Sequence, residues 1–338
     1  MVETRVLPGD EEASIRAAAA AIRAGEPVAF PTETVYGLGA NALDARAVAR
    51  VFAAKERPSF DPIIVHVAEA AAIEELALPA DLADPRVRTL AEACWPGPLT
   101  IVLRKRPVVP GIVTAGLDTV GLRVPDHPIA LRLIAAAGVP IAAPSANRFG
   151  RVSPTRAEHV VAQLGGRVGI VLDGGPCRIG VESTVVSLAD GGAWLLRAGG
   201  TPLERIEALI GALTIPSEHG AGPSLAPGRS ISHYAPGARL ELVGAGDGAT
   251  AAPGERLALL AADDAGRSAA ENGGGPYVAV EVLSPSGDPV EAAARLFDAL
   301  HRLDAARPDR IVAQAVPGEG LGRAIMDRLR RASAATKP

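Results

Sequence analysis

The stretch VAFPTETVYGLGAN, residues 28–41, places a short apolar segment directly before a run of hydroxyls, one carboxylate and two glycines. The first three residues predict a buried strand, and the rest, from Pro31 on, is expected to form a single loop. Loops that follow strands at the carboxyl edge of an α/β sheet bind ligands, and Thr32 and Thr34 offer hydroxyl groups here. A turn in which the two threonines cap the next segment would explain the same residues, so both interpretations stay open.

Helices and strands alternate on both sides of this stretch, which predicts an α/β fold. The predicted helices of the first region are 12–24, 44–54, 69–77, 86–94, 127–137 and 203–211, and its predicted strands are 28–30, 63–67, 100–103, 119–124, 139–142, 169–172, 183–188 and 194–197.

A segment rich in Gly, Pro and Ser, residues 213–238, interrupts the alternation and predicts a linker between two domains. We therefore expect a first domain over residues 1–212 and a second domain over residues 239–338. In the second domain the predicted strands are 239–243, 256–261, 277–283 and 310–316, and the predicted helices are 289–306 and 322–333.

The composition excludes several classes of protein. The 338 residues carry a net charge of −4 and 3% aromatic residues, so no global basic field or base-stacking surface is expected. The N-terminus lacks the basic and apolar regions of a secretory signal, and the longest apolar stretch is too short to span a bilayer. Two cysteines fit a reducing compartment. These observations predict a cytoplasmic protein without a membrane segment.

Basic residues in one irregular segment suggest an anion site. Only three of the 34 basic residues are lysine, and one of them, Lys55, lies two positions before Arg57 in KERPSFDP. A lysine as a point charge and an arginine as a fork can both face one polyphosphate. The same side chains could instead complement the dipole at the end of helix 44–54, and the residues alone leave this open.

Two further positions put a titratable or charged side chain inside a predicted strand. A histidine such as His66 among apolar neighbours is more often a core residue than a catalytic one. Arg123 needs a partner if it is buried, and either an acid of the protein or a substrate carboxylate would serve.

Hydroxyls, an amide and guanidinium groups collect in the loop APSANRFGRVSPT, residues 143–155, with few acids. This is the donor set that binds phosphate and sugar oxygens, although Ser153 could simply cap the next helix. The segment GVESTVV, residues 180–186, adds further hydroxyls at the start of a strand. The chain has no GxxxxGK[ST], HExxH, CxxC or GxSxG motif, so any phosphate would be bound without a Walker loop.

In this order the segments resemble the Sua5/YrdC family, the threonylcarbamoyl-AMP synthases, in its longer two-domain form. The resemblance implies a YrdC-like domain, in which a twisted mixed α/β sheet carries a concave cavity, and a smaller Rossmann-like C-terminal Sua5 domain. The matching segments lie within residues 30–236 and are FPTETVYGLGANA, KER followed by DPIIVH, WPGPLT, TAGLDTVGLRVP, APSAN, SPT, GVEST, LLRAGG and HYAP.

The family resemblance also implies a reaction. A nucleotidyltransferase of this family forms threonylcarbamoyl-AMP and pyrophosphate from L-threonine, bicarbonate and ATP, with Mg²⁺. Its product passes to the tRNA threonylcarbamoyl transferase complex, which modifies adenosine 37 of tRNAs that read codons beginning with A. The linker would close over the active site, and direct tRNA binding and the oligomeric state stay open.

Roles for individual residues follow from the same resemblance. Lys55 and Arg57 would offset the charge on the phosphoryl oxygens during catalysis. The linker reads PGRSISHYAP where the family often has PGMKYxHYAP, so Arg229 could supply the missing positive charge. Threonine would contact Thr34, His66, Arg123 (through its carboxylate), the Ala143 backbone and Ser183, and ATP would contact Lys55, Arg57, Asp61, Thr119, Ser145, Asn147, Ser153, Arg197 and Tyr234 of the linker.

Two other functions compete with this one. A double-stranded-RNA-binding or ribosome-associated module has been the interpretation for single-domain relatives, but the sequence pI of about 5.9 counts against it. Hydrogenase-maturation proteins with a similar domain transfer a carbamoyl group to a partner protein. The zinc-finger-like cysteine motifs of those proteins are absent from this sequence, which counts against that function.

Overall fold

A computed structural model describes residues 2–57, 61–216, 234–273 and 276–334. The chain divides into two compact units. Of the described residues, the first unit contains 2–57, 61–149, 154–178 and 182–216, and the second contains 150–153, 179–181, 234–273 and 276–334. Most of the predicted linker, including Arg229, lies outside the described residues, so the boundaries at 212 and 239 and the closing role of the linker stay predictions.

Helices and strands alternate through the first unit, as predicted. Its strands are β1 (Arg5–Pro8), β2 (Val28–Phe30), β3 (Gly37–Asn41), β4 (Val65–His66), β5 (Leu99–Arg104), β6 (Thr119–Arg123), β7 (Ile141–Ala142), β8 (Ile170–Asp173), β9 (Thr184–Ser187) and β10 (Trp194–Arg197). Its helices are α1 (Glu12–Arg23), α2 (Ala45–Lys55), α3 (Pro79–Leu82), α4 (Pro85–Cys94), α5 (Pro128–Ala137), α6 (Ala157–Leu164) and α7 (Leu203–Ile210), with 3₁₀ turns at Ala70–Glu75 and Ala189–Gly191.

Within the described residues these strands form one mixed sheet in the order β1-β8-β2-β3-β7-β4-β6-β5-β9-β10. Strand β3 is antiparallel to both β2 and β7, whereas β4 is parallel to β6 and pairs His66 with Arg123. Strand β4 is antiparallel to β7, so β2, β3, β7, β4 and β6 are consecutive neighbours at the centre of the sheet. Thr34, His66, Arg123 and Ala143 lie on these strands, directly next to one or in the turn between two, so the sheet order places these four predicted site residues on or beside neighbouring strands.

Helix α2 shows how local sequence places one site residue. Asp44 is its N-cap and accepts hydrogen bonds from the backbone N–H groups of Arg46 and Ala47. The C-cap, Glu56, adopts a left-handed conformation with φ of 54°, which ends the helix directly after Lys55. Lys55 lies on the face of the helix that is buried in the protein, so its charge needs compensation inside.

The second unit contains a smaller sheet with helices. Its elements are β11 (Arg239–Val243), β12 (Leu257–Ala261), α8 (Asp264–Gly273), β13 (Tyr277–Val282), α9 (Pro289–Ala305), β14 (Arg310–Gln314) and α10 (Leu321–Ala334). Among the described residues the sheet has four parallel strands in the order β11-β14-β12-β13. Helix α9 packs on β12 and β13 through an apolar face that includes Leu296, Phe297 and Leu300.

The structure corrects the prediction of a single loop over residues 31–41. Gly37–Asn41 forms β3, and its first four residues are fully buried between β2 and β7. A Cβ atom on Gly39 would lie 2.5 Å from Ile141 and 2.6 Å from Phe30, so this glycine permits close packing of strands rather than a turn. Strand β1 and helices α3, α6 and α8 are absent from the predicted elements, and the predicted helix 69–77 is a 3₁₀ turn.

Candidate active site

The turn between β2 and β3 holds its two threonine hydroxyls in fixed positions. Thr32 Oγ1 donates to the carbonyl of Val35 at 2.7 Å and lies 2.7 Å from Thr34 Oγ1. Both side chains are buried. Because the Thr32 hydroxyl donates to the backbone, the hydroxyl of Thr34 donates to Thr32. The Thr34 oxygen therefore remains available as an acceptor.

Arg123, the last residue of β6, uses that acceptor. Its Nη2 donates to Thr34 Oγ1 at 2.9 Å and lies 2.7 Å from Glu33 Oε1, while Nε donates to the carbonyl of Gly97 at 3.2 Å. The side chains of Arg123 and Glu33 are 4% and 1% exposed. The sequence left open whether Arg123 pairs with an acid of the protein or with a substrate carboxylate. In the structure it pairs with an acid of the protein, Glu33.

His66 is the strand neighbour of Arg123 and shares its buried surroundings. Burial and, second, the positive charge of Arg123 lower the pKa of His66 to about 3, so the imidazole is neutral at physiological pH. The ring meets Phe30 edge-on, with centroids 6.3 Å apart. Ala143, another predicted threonine contact, follows β7, and its backbone N–H donates to the carbonyl of Ile64 at 2.9 Å.

Ser183 and Arg197 form a second contact between predicted site residues. Arg197 donates through Nε and Nη2 to the Ser183 carbonyl at 3.2 and 2.9 Å, and Nη2 lies 3.3 Å from Ser183 Oγ. Thr100 Oγ1 of β5 lies 2.8 Å from the same Ser183 oxygen. Thr100 is not among the residues predicted from the sequence. The signal that could have identified it is a single hydroxyl residue in the otherwise apolar start of the strand LTIVLR.

Lys55 joins the end of α2 to the loop that contains Ser145 and Asn147. Its Nζ donates to the backbone carbonyl of Ser145 at 2.5 Å and to that of Asn147, and the N–H of Phe149 donates back to the Lys55 carbonyl. Burial and, second, the nearby charge of Arg57 lower the pKa of the Lys55 amine, whereas Asp61 opposes that shift. The lysine is therefore a buried element of the site rather than a surface cap of the helix dipole.

Arg57 and Asp61 form a buried ion pair on either side of residues 58–60, which lie outside the described residues. Arg57 Nη2 lies 2.8 Å from Asp61 Oδ2, and both side chains are at most 3% exposed. The same guanidinium donates to the backbone carbonyls of Asp61 and Pro62 at 3.2 and 3.0 Å and lies over the Phe52 ring. Two predicted ATP contacts thus meet each other in the structure.

The remaining predicted ATP contacts fall into two places. Thr119 begins β6, and Asn147 donates through Nδ2 to the carbonyl of Arg148 at 2.8 Å, so both belong to the first unit. Ser153 and Tyr234 belong to the second unit. There the Ser153 carbonyl lies 3.1 Å from His301 Nε2. Helix α6 begins at residue 157 with Arg156 as its N-cap, so Ser153 does not cap it.

Tyr234 is buried within the second unit between an aromatic ring and a cation. Its ring stacks on Phe297 with centroids 5.6 Å apart, and the Arg328 guanidinium lies 5.1 Å from its centre. The side chain is 1% exposed and its φ is 65°, an uncommon value for a residue other than glycine. The predicted contact of Tyr234 with ATP stays a prediction.

Two of the contact groups of the first unit, the one around Thr34 and the one around Lys55, are joined through the backbone. Leu38 and Ala146 donate to the carbonyls of Pro144 and Tyr36, and Gly37 pairs with Ser145 as an isolated bridge. Residues 32–37, which include the predicted threonine-binding residue Thr34, therefore lie against the loop whose carbonyls accept hydrogen bonds from Lys55. Hydroxyls, a neutral imidazole and buried cations in this arrangement can bind a carboxylate and phosphates.

Comparison with known proteins decides the family. A sequence model of the Sua5, YciO and YrdC proteins, described as "Telomere recombination", matches residues 20–199, and a model described as "Threonylcarbamoyl-AMP synthase, C-terminal domain" matches residues 201–334. The chain belongs to the Sua5/YrdC family.

Individual relatives cover nearly the whole chain. The threonylcarbamoyl-AMP synthase of Pyrococcus abyssi is 48% identical over 96% of this chain and 95% of its own length. That of Bacillus subtilis is 44% identical over 94% of this chain and 92% of its own length. The crystal structure of P. abyssi Sua5 complexed with L-threonine matches 99% of this chain and 98% of its own with a TM-score of 0.86 and 41% identity.

These findings confirm the predicted Sua5/YrdC family and the predicted α/β fold with a mixed sheet and a second, smaller sheet. In the part of the chain that the structure describes, no group of three or more His, Cys, Asp and Glu side chains could hold a metal ion. None of the described helices is long and apolar enough to cross a membrane.

Proposed function

We propose that the site forms threonylcarbamoyl-AMP and pyrophosphate from L-threonine, bicarbonate and ATP. The chain is a threonylcarbamoyl-AMP synthase, because it belongs to this family and is more than 40% identical to curated synthases over nearly its full length. The observation that carries the assignment of the site is the contact of Arg197 with Ser183. It joins a residue expected to bind ATP to one expected to bind threonine.

The proposed chemistry has two balanced steps. The threonine amine, after losing a proton, attacks bicarbonate or CO₂ and forms a carbamate, with release of water when bicarbonate is the donor and of a second proton when CO₂ is the donor. An oxygen of the carbamate then attacks the α-phosphorus of ATP, a P–O bond forms, and the bond to the β-phosphate oxygen breaks to release pyrophosphate. No covalent bond to the protein is needed, so positioning and charge stabilisation provide the catalysis.

At the threonine end, we assign the substrate carboxylate to Arg123. Thr34, Ser183 and the Ala143 backbone complete the contacts to the amino acid. His66 is neutral because of its low pKa, so it can accept or donate one hydrogen bond without adding a second positive charge beside Arg123. Support for this assignment comes from the hydrogen bond between Arg123 and Thr34.

At the nucleotide end, we assign charge stabilisation to two buried basic residues, Lys55 and Arg57, which as whole residues, backbone included, are 1% and 8% exposed. Lys55 also orders the Ser145 and Asn147 loop, so one side chain would both shape the phosphate site and offset charge in it. The remaining proposed ATP contacts are Asp61, Thr119, Ser153, Arg197 and Tyr234.

The described donor set does not fit a metal site formed by the protein. Of the side chains proposed to contact ATP, only Asp61 is acidic, and no group of three or more His, Cys, Asp and Glu side chains among the described residues could hold a metal ion. Mg²⁺ therefore enters the proposal only as the ion that accompanies ATP, and no step above depends on it.

The product is a mixed anhydride, which water hydrolyses readily, so an enzyme that consumes it should act soon after release. We propose that a tRNA threonylcarbamoyl transferase complex is this consumer and that adenosine 37 of tRNAs reading ANN codons is the final acceptor. The cytoplasm suits this role, and the two cysteines, Cys94 and Cys177, are buried and unbridged.

An omission experiment tests the proposed function. Pyrophosphate release is measured with ATP alone and after adding threonine, bicarbonate or both. We expect release above background only when both are present. Release that does not need threonine would contradict the proposal, and tight, salt-sensitive binding of double-stranded RNA without any adenylation would favour the RNA-binding alternative.

A further inference from the structure

Glu33 is a buried carboxylate in the centre of the site to which no role has been assigned. It follows Thr32 and precedes Thr34 in the turn after β2, and its side chain is 1% exposed. Removing a carboxylate from water costs several kcal/mol unless a charge or hydrogen bonds compensate it. A position with this cost needs a physical reason.

Arg123 provides that compensation. Its Nη2 lies 2.7 Å from Glu33 Oε1. Among the described residues, neither carboxylate oxygen of Glu33 has a partner with hydrogen-bond geometry, so the ion pair is the contact that balances its charge. The two residues are distant in sequence, and the pair forms only when β6 lies beside the β2–β3 turn.

The surrounding contacts fix the guanidinium rather than merely neutralise it. Thr34 accepts a hydrogen bond from the same Nη2 that faces Glu33, and the Gly97 carbonyl accepts one from Nε. A planar guanidinium held at two nitrogens by three partners has little freedom to rotate. Glu33 supplies the only charged partner of the three.

We propose that Glu33 is a positioning residue that holds Arg123 in the orientation that binds the carboxylate of the amino-acid substrate. This inference rests on the proposed function, because it requires that Arg123 binds that carboxylate. The rival interpretation is that Glu33 competes with the substrate for the guanidinium. The two make opposite predictions, because loss of a positioning residue weakens substrate binding and loss of a competitor strengthens it.

The test is Glu33→Gln, which keeps the shape of the side chain and removes its charge. We expect the KM for threonine to rise by about tenfold, the factor that corresponds to loss of one charged positioning contact. The kcat at saturating threonine and the KM for ATP should stay within about twofold of the wild-type values, because neither depends on the orientation of Arg123 before threonine binds.

A matched control is Asp81→Asn. Asp81 is also a buried carboxylate of the first unit and is paired with an arginine, Arg104, but it lies outside the proposed site. If burial alone matters, both variants lose stability and neither changes the KM for threonine. We expect only Glu33→Gln to change it.

A second variant, Glu33→Asp, keeps the charge and withdraws it by one methylene, so it should fall between the wild type and Glu33→Gln in its KM for threonine. It also replaces Glu33→Gln if that variant does not fold. An unchanged or lower KM in a folded Glu33 variant overturns the inference. Wild-type enzyme without threonine-dependent activity would instead overturn the proposed function, so the two failures are distinguishable.

Discussion

Lys55 Nζ lies 2.5 Å from the backbone carbonyl of Ser145, to which it donates a hydrogen bond. A second bond to the Asn147 carbonyl and the return bond from Phe149 fix the loop to the end of α2. Two segments 90 residues apart in sequence, each expected to contact ATP, are thereby one structural element. The lysine therefore has a structural role in addition to its proposed role in charge stabilisation.

Replacing Lys55 by methionine tests both roles, because it removes the amine and keeps a buried side chain in place. Lys55→Met keeps the length of the side chain and leaves two buried carbonyls without their donor, so we expect a loss of about 1–3 kcal/mol in the free energy of unfolding. We also expect kcat to fall by about a hundredfold or more, as for loss of an electrostatic stabiliser. Denaturant unfolding and pyrophosphate release measure the two effects.

Lys105→Met is the control for this prediction. Lys105 also donates to a backbone carbonyl, that of Val109, but lies outside the proposed site. Its replacement should leave kcat within about twofold. Near-normal kcat in Lys55→Met would remove Lys55 from the proposed mechanism.

The buried His66 should make the stability of the protein depend on pH. Its pKa is about 3 in the folded chain and about 6.5 in an unfolded one, so the unfolded state binds more protons between these values. The stabilising contribution is complete above about pH 6.5 and is lost as the pH falls toward 3. Between pH 7.5 and 5 the wild type should lose about 2 kcal/mol through this residue.

Urea unfolding of the wild type and of His66→Gln at several pH values between 7.5 and 5 measures that contribution. Both proteins share the effects of all other titrating groups, so only the difference between them reports on His66. We expect the difference in the free energy of unfolding to shrink as the pH falls. A constant difference would mean that the folded-state pKa is close to its ordinary value.

Close strand packing around β3 predicts unequal effects of two neighbouring glycines. A Cβ on Gly39 would lie 2.5 Å from Ile141, whereas one on Gly37 would lie 3.3 Å from its nearest neighbour, Ala143. Gly39→Ala should lower the free energy of unfolding by about 1–3 kcal/mol, and Gly37→Ala should lower it less. Denaturant titration compares the two, and equal effects would contradict the packing that distinguishes them.

Elements whose apolar residues follow a clear pattern could be predicted from the sequence. A strand that exists because neighbouring strands pack closely against its glycines could not. Helix α1 was predicted to within one residue because its apolar positions follow the helical period, and strand β10 because it is a short apolar run. Strand β3 was missed because its glycines, typical of turns, serve here to let Phe30 and Ile141 approach the backbone. That requirement comes from neighbouring strands and is invisible in a local window.

The sequence named candidate site residues but not the contacts that the structure shows among them. The family motifs named Thr34 and Arg123, and the structure joins them by a hydrogen bond across 89 residues of sequence. Glu33 lies in the same motif, and the sequence left open whether a buried Arg123 pairs with an acid of the protein or with a substrate carboxylate. The ion pair between Arg123 and Glu33 is seen only in the folded structure. Tertiary pairing of this kind carries no local periodicity.

The proposed reaction joins threonine, a one-carbon unit from bicarbonate and AMP in a single product. Mass spectrometry of a reaction with ATP, threonine and carbon-13-labelled bicarbonate detects that product. We predict an adduct with the mass of threonylcarbamoyl-AMP that carries the label in its carbamoyl carbon and forms in step with pyrophosphate. Pyrophosphate release without a labelled adduct, or an adduct that lacks threonine, would contradict the account.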